Sequence, residues 1–421
     1  MKKSTRGCKV FSVAFISLVL LLISCRKNSG QPTESITIDL SAYSTQSIES
    51  AIESVSPVDF KIDDSWIYLN TSLMTKTENS YAFLDEKNGV LQIYDMDGHK
   101  KMSRSLFGRG PGEISNNIGA FFALNKDFYV NDAGNGVLMR YDENGKFISK
   151  WNSEDNFIDD YLYCIDRNKY VGLCTNRYND SDEYVYVYDK DGKTIYTYLQ
   201  LPHYLFDNPT KFGNLPNSYL VHDTLRFILP YDYNIYSVTE NSFSTTYRFI
   251  PESPIPAKLL EGYDITKNKY LQFDIVMEME SLVLSGGYDF KFQNLLETDR
   301  YLFFDYSSKQ SMKKCMFDKR SRTLRVMPYP DKRSYNKGMA ENMSVDDVWQ
   351  YLLYYISLFP IYCDGEFIYG RIYINTYEML KDCSDKLDDR LLSLKNNLED
   401  YIKANNITVG DVIILKIALS R

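Results

Sequence analysis

The feature that most constrains this 421-residue chain is a pattern returning at a fixed offset of 47 residues. Tyr81 to Asp95 and Phe128 to Asp142 share an Asp, an Asn-Gly-Val-Leu run and a closing Tyr-Asp, and Gly98 and Gly145 extend the match. The same offset falls again on Val185, Tyr188, Asp189, Gly192 and Lys193. A unit of this size has the length of one propeller blade. Within it an apolar, aromatic run enters a turn rich in Asp, Asn and Gly, and an alternating run leaves it, which is how an antiparallel hairpin is written. The Tyr-Asp-x-x-Gly-Lys sequences ending in Lys146 and Lys193 are further turns, with glycine placed for a positive φ. One such sheet cannot bury both its faces alone, whereas several stacked around an axis can.

Comparable strand ends fall at Tyr94, Tyr141, Tyr188, Tyr236 and Phe317, at spacings of 47, 47, 48 and 81 residues. The long fourth interval predicts an insertion over Ala257 to Glu278, where Tyr270, Phe273 and Val276 or Met277 recur at helical spacing. Strands are expected after it over Ser281 to Phe292 and Arg300 to Tyr306, and the first blade is expected from Pro57 to Leu69 and Tyr81 to Asp97. The sixth blade would combine Phe367 to Ile374, Val412 to Leu419 and an N-terminal strand carrying Ile36, Ile38 and Leu40, which closes the ring. Helices are predicted from Ser344, which opens a capping pattern, through Tyr355, and over Asp385 to Ala404 with Leu387, Leu391, Leu394, Leu398 and Ile402 on one stripe. Both are expected to pack on the outside of the ring. The predicted fold is all-β, a six-bladed β-propeller over residues 35–421 with a few inserted and C-terminal helices.

Lys2, Lys3, Arg6 and Lys9 precede an apolar stretch, Val10 to Ile23, that is shorter than the roughly 20 residues of a spanning helix. Residues 1–24 read as a secretion leader ending in Leu22-Ile23-Ser24-Cys25, which resembles the bacterial lipobox. That resemblance implies acylation of Cys25, and two or more acyl chains hold a protein stably on a membrane. Residues 25–34 read as a polar tether. Loss of the four leader cations takes the formal charge from −8 to −12, which argues against nucleic acid and against adhesion to anionic lipid. No acidic run follows Cys25, so the periplasmic face is favoured over the cell surface.

Candidate chemistry is sparse. Gly108-Arg109-Gly110-Pro111-Gly112-Glu113 is rich in glycine, but no strand-to-helix context follows, no Lys-Ser/Thr ends it, and Pro111 lacks an N–H. It reads as an inter-blade loop rather than a phosphate loop. His99, His203 and His222 lack zinc spacing, and there is no Gly-x-Ser-x-Gly elbow. Beyond Cys8 and Cys25 the cysteines are Cys164, Cys174, Cys315, Cys363 and Cys383, with no C-x-x-C pair. Cys164 and Cys174 flank a predicted turn at Asp166 to Lys169 and point to opposite faces, which disfavours a disulfide. Asp159, Asp160, Asp180, Asp182 and Glu183 read as solvated loop carboxylates. Asn131 and Asp132, at a strand end, are the candidates for holding a metal at the channel mouth, and calcium suits such oxygen ligands. Asp132 coincides with Asp85 in the repeat, so turn chemistry is its plainer role.

The leader with its lipobox, the Gly108 to Glu113 loop, the Tyr-Asp-x-x-Gly-Lys turns and the strand Gly410-Asp411-Val412-Ile413-Ile414-Leu415-Lys416 after a helix together resemble the TolB-like six-bladed β-propeller lipoproteins of Gram-negative anaerobes. The resemblance spans essentially the whole mature chain and implies a ring carried on the outer membrane; it supplies no catalytic residues. Function must be argued from a site, and more than one reading stays open. The favoured one is a non-catalytic binding module without a cofactor, whose face captures a protein, a glycan or a small ligand. The alternative is a metal-dependent hydrolase or lyase, with carboxylates and amides of several blades converging at the channel. A purely structural envelope component is the third.

Overall fold

The computed structural model describes residues 35–420 apart from 62–71, 155–160, 167, 175–182, 201–217, 230, 262–277, 279–280, 284, 310, 330–336, 359–361 and 409–410. The expected leader, Cys25, the expected tether, Asp159, Asp160, Asp180, Asp182, His203 and most of the expected helical insertion lie outside the described residues.

Three short strands, β1 (Ile36–Asp39), β2 (Tyr43–Ser44) and β3 (Ile52–Pro57), precede six sheets. Blade 1 is β4 (Ser72–Lys76), β5 (Ser80–Asp85), β6 (Val90–Asp95) and β7 (Lys100–Ser105). Blade 2 is β8 (Ile118–Leu124), β9 (Asp127–Asp132), β10 (Val137–Tyr141) and β11 (Phe147–Asn152). Blade 3 is β12 (Tyr161–Asp166), β13 (Lys169–Leu173), β14 (Glu183–Asp189) and β15 (Thr194–Gln200). Blade 4 is β16 (Ser218–Val221), β17 (Thr224–Ile228), β18 (Asn234–Val238) and β19 (Phe243–Ile250), followed by the short helix α1 (Ala257–Glu261). Blade 5 is β20 (Phe290–Glu297), β21 (Tyr301–Ser308), β22 (Ser311–Asp318) and β23 (Thr323–Pro328), with α2 (Val345–Leu358) after it. Blade 6 takes β24 (Tyr362–Cys363), β25 (Phe367–Tyr373) and β26 (Val412–Leu419), with α3 (Ile374–Asp382) and α4 (Asp389–Asn405) inserted between β25 and β26. First strands meet from blade 4 through blades 5, 6, 1 and 2 to blade 3, and β12 of blade 3 reaches β17 of blade 4, so β4, β8, β12, β16, β20 and β24 are innermost.

The repeat has a physical basis. Tyr94, Tyr141 and Tyr188 lie on the third strands of blades 1 to 3 and are wholly buried. Immediately after them, one carboxylate oxygen of Asp95 accepts the N–H groups of Asp97 and His99, and Asp142 and Asp189 do the same for Asn144 with Lys146 and for Asp191 with Lys193. The chain can then reverse only through a positive φ, +81° at Gly98, +75° at Gly145 and +88° at Gly192. At Gly98 a Cβ would also sit 1.9 Å from the Asp59 carbonyl oxygen.

The ring closes through a different strand from the one expected. β3 pairs antiparallel with β26, setting Val55 opposite Ile417, and forms the outer strand of blade 6. The Ile36 segment instead runs parallel to β19 as a fifth strand of blade 4, and β2 adds to β23 of blade 5 in the same way. Its alternation is real, since Ile38 and Leu40 fill the core between blades 4 and 5, but alternation does not name the partner strand. Residues 281–283 are helical where a strand was expected, and the strand begins only at Phe290. Of the Pro57 to Leu69 segment expected in blade 1, Pro57 ends β3, residues 58–61 are not strand and 62–69 lie outside the described residues; blade 1 has Ser72–Lys76 as its first strand.

The capping pattern at Ser344 holds, its hydroxyl and N–H donating to Asp347 and the Asp347 N–H returning to the Ser344 hydroxyl. The C-terminal helix starts at Asp389 because Asp388 caps it, accepting the Leu391 N–H at 2.8 Å, and it ends on Asn406 at φ +51°. Helix α3 was not expected; it buries Thr376, Tyr377, Met379 and Leu380. The helices share one core with blade 6, where Trp349, Leu394 and Leu398 join Ile413 and Leu415. Cys164 pairs with Tyr170 and Leu173 with Tyr161, which puts Cys174 at the far end of its hairpin. No disulfide forms among the described residues.

Candidate functional site

The glycine-rich loop is a joint between blades 1 and 2. It leaves β7 by bonding Leu106 N–H to the Gly89 carbonyl, and the Gly110 N–H donates to Glu113 Oε2 at 2.6 Å. The Gly112 carbonyl then accepts from the Tyr141 hydroxyl and from Arg104. Gly112 has φ +74°, and a Cβ there would press into Phe147. Gly108 lies against the Glu113 carboxylate, so the loop's glycines and its Glu serve one folded-back turn. Pro111 sits between these bonds, and Arg109 is left exposed on the loop.

Asn131 and Asp132 are both fully buried. The side-chain oxygen of Asn131 accepts the Leu162 N–H at 3.1 Å and thereby ties blade 2 to blade 3. Asp132 accepts from the hydroxyl and N–H of Ser115 and from Asn135 Nδ2. These are joint and turn bonds. The carboxylates that do gather with a histidine among the described residues, Asp95, Asp97 and His99, belong to a single turn of blade 1 and not to several blades.

The structure assembles a different cluster, between blades 4 and 5. Glu297, the last residue of β20, has a side chain only 2 % exposed. Its Oε1 accepts from the Tyr247 hydroxyl at 2.7 Å and from Lys319 Nζ at 2.9 Å. Its Oε2 accepts from the Tyr219 hydroxyl at 3.0 Å and from Arg226 Nη1. The strands explain the convergence. Tyr219 and Arg226 are cross-strand partners in β16 and β17, Tyr247 lies on β19 of the same blade, and Lys319 directly follows β22. Burial alone would lift the Glu297 carboxyl, but Arg226 and Lys319 outweigh it and hold the group below the usual carboxylate range. Burial, then the Glu297 charge, push the Tyr219 and Tyr247 phenols well above theirs. Beside the cluster, the Cys363 thiol donates to the Glu297 carbonyl at 3.1 Å, and burial pushes that thiol up to about 12, so it stays protonated at neutral pH.

Two cations against one carboxylate leave an excess positive charge inside a chain of formal charge −8. Arg226 spends Nη1 on Glu297 and Tyr247, while its Nε is buried with no acceptor. The side chains of Arg226 and Lys319 remain 16 % and 18 % exposed, so the cluster reaches solvent on its cationic side. Two partly exposed cations side by side suit an oxyanion such as a carboxylate. Sequence reasoning missed these residues. The available signals were a charged Arg226 inside the apolar run Thr224–Ile228 and a Glu ending an alternating strand, but the two lie 71 residues apart.

A family model described as a 6-bladed beta-propeller, DUF5128, matches residues 26–354. Among solved structures, a protein of Bacteroides fragilis described as exported aligns with TM-score 0.67 at 16 % identity, covering 92 % of this chain and 99 % of the other. A DUF4221 member from Bacteroides vulgatus aligns with TM-score 0.45 at 10 % identity over 87 % of this chain and 98 % of the other. A virginiamycin B lyase of Staphylococcus aureus aligns with TM-score 0.35 at 11 % identity over 66 % and 75 %, a likeness too slight to bear on chemistry. No curated protein matches the chain. The structure and the family model therefore agree, and the chain belongs to the DUF5128 family of six-bladed β-propellers.

Proposed function

We propose that the protein is an outer-membrane lipoprotein, anchored through Cys25 and facing the periplasm, whose propeller is a non-catalytic binding module for a ligand or partner bearing carboxylate groups. The observation that carries this reading is the partly exposed pair of cations, Arg226 and Lys319, in a net cationic cluster built from blades 4 and 5. The exported Bacteroides relative and the leader pattern support the location, and kinship with the TolB-like group is part of the same proposal. Labelling cells with radioactive palmitate and fractionating their membranes tests the anchor. Wild type should be labelled in the outer membrane and Cys25→Ser unlabelled; label persisting in Cys25→Ser would refute acylation there. A glycan array comparing uronate-containing with neutral oligosaccharides tests the ligand class, with binding confined to the acidic set expected.

A further inference from the structure

The outer edges of the six blades are not finished alike. Blades 4 and 5 each carry an added parallel strand, β1 on β19 and β2 on β23, and the outer strand of blade 6, β3, lies under α4. Among the described residues, blades 1, 2 and 3 end on an open strand. An open edge offers backbone N–H and C=O groups to any further strand, and charged side chains blunt that offer. β7 carries Lys100, Lys101 and Arg104, and β11 carries Lys150. β15, Thr-Ile-Tyr-Thr-Tyr-Leu-Gln, carries no charge, and its Ile195 and Tyr196 are 37 % and 38 % exposed.

The β15 sequence also reads almost alike in both directions about Thr197. Tyr196 mirrors Tyr198, Ile195 mirrors Leu199 and Thr194 mirrors Gln200. The fold respects that centre. The strand is regular over Tyr196–Tyr198, where its partners on β14 run in step, and it is interrupted on both sides, by a bulge at Ile195 and by Leu199 at φ +63°. Tyr196 and Tyr198 stack on one face of the strand with ring centroids 6.1 Å apart, and Tyr198 extends the stack to Phe243 of blade 4 at 5.0 Å. An isologous dimer sets residue i against j and j against i, so a mirrored edge presents like chemistry at every pair. A foreign strand requires no such symmetry. From these observations we infer that β15 is a dimer edge, on which a second copy of this chain adds its own β15 antiparallel about a two-fold axis at Thr197. Tyr196 then faces the second copy's Tyr198, Ile195 faces its Leu199, and Thr197 meets its own counterpart. Aromatic pairs are favourable across antiparallel strands.

The centre of symmetry supplies the test. Sedimentation of the mature protein between about 1 µM and about 1 mM should show a monomer–dimer equilibrium, since so small an interface is a weak one. Thr197→Lys and Thr197→Glu each set like charges face to face and should weaken the dimer at least about tenfold. A mixture of the two should form a heterodimer tighter than either variant's homodimer. Thr197 is exposed, so both variants should keep the wild-type melting midpoint. In wild type, amide hydrogen exchange at Ile195–Leu199 should slow as protein concentration rises. A wild type that stays monomeric at about 1 mM, a dimer indifferent to both variants, or a mixture no tighter than its components would overturn the assignment. Protection of β15 that does not change with concentration would overturn it too, because something other than a second copy would then cover the edge. The exchange result on the unaltered protein decides the matter even if the variants do not fold.

Discussion

Glu86, on the β5–β6 turn, is half-buried, and burial pushes its carboxyl up to about 7 against the opposing pull of Arg371. The folded state therefore holds a proton that the unfolded chain releases near 4.5, so this contribution to stability is complete below that pH and is lost as pH rises through 7. Glu86→Gln should flatten that slope and stabilise the protein at pH 8 by about 1–3 kcal/mol, read from urea unfolding at pH 5 and 8. Glu297 behaves oppositely. Its depressed pKa contributes stability above the unfolded value, and that stability disappears as pH falls through the folded one. Glu297→Gln should cost about 3–5 kcal/mol at pH 7 by stranding Arg226 and Lys319, and adding Arg226→Met should recover part of the loss. Equal, additive losses in a double-mutant cycle would show that the two residues are not coupled. At Gly98, where positive φ and the Asp59 carbonyl both forbid a Cβ, alanine should lower stability by more than the roughly 1 kcal/mol of a simple glycine effect. The turn residues were legible in sequence because each acts on its own neighbours. Glu297 was not, because its partners come from three other strands and the turn after a fourth.

At the level of elements, the hairpins of blades 1 to 3 were readable from their repeated Asp, Gly and Tyr, and so was the pairing of the C-terminal strand with the chain's beginning. Which N-terminal strand closes the ring was not readable. Ile36–Asp39 has the cleaner alternation, but β3 has the edge of β26 to bind. Two truncations separate their roles. Removing residues 26–46 deletes β1 and β2 and exposes the sites of Ile38 and Leu40, a loss of about 3–6 kcal/mol from burial alone, with a cooperative transition kept. Removing residues 26–58 also deletes β3, leaves β26 as an unpaired edge and uncovers the face under α4, so calorimetry should show a broadened transition or none. Identical behaviour of the two truncations would contradict closure through β3.

Across the whole molecule, propeller class follows from the measurable repeat and blade number from the later strand ends and the strands at the two ends of the chain, and the structure bears both out with six sheets. The proposed binding surface emerges only from the ring, because the cluster is made where two blades meet. The most direct test is calorimetric titration of the mature protein with an acidic oligosaccharide that the array identifies, in calcium and again in EDTA, using wild type and Arg226→Met. Saturable binding unaffected by EDTA, no turnover of the ligand, and at least about tenfold weakening in Arg226→Met are predicted, the last from loss of one charge-assisted hydrogen bond. Binding indifferent to Arg226→Met, or calcium-dependent cleavage of the oligosaccharide, would contradict the account.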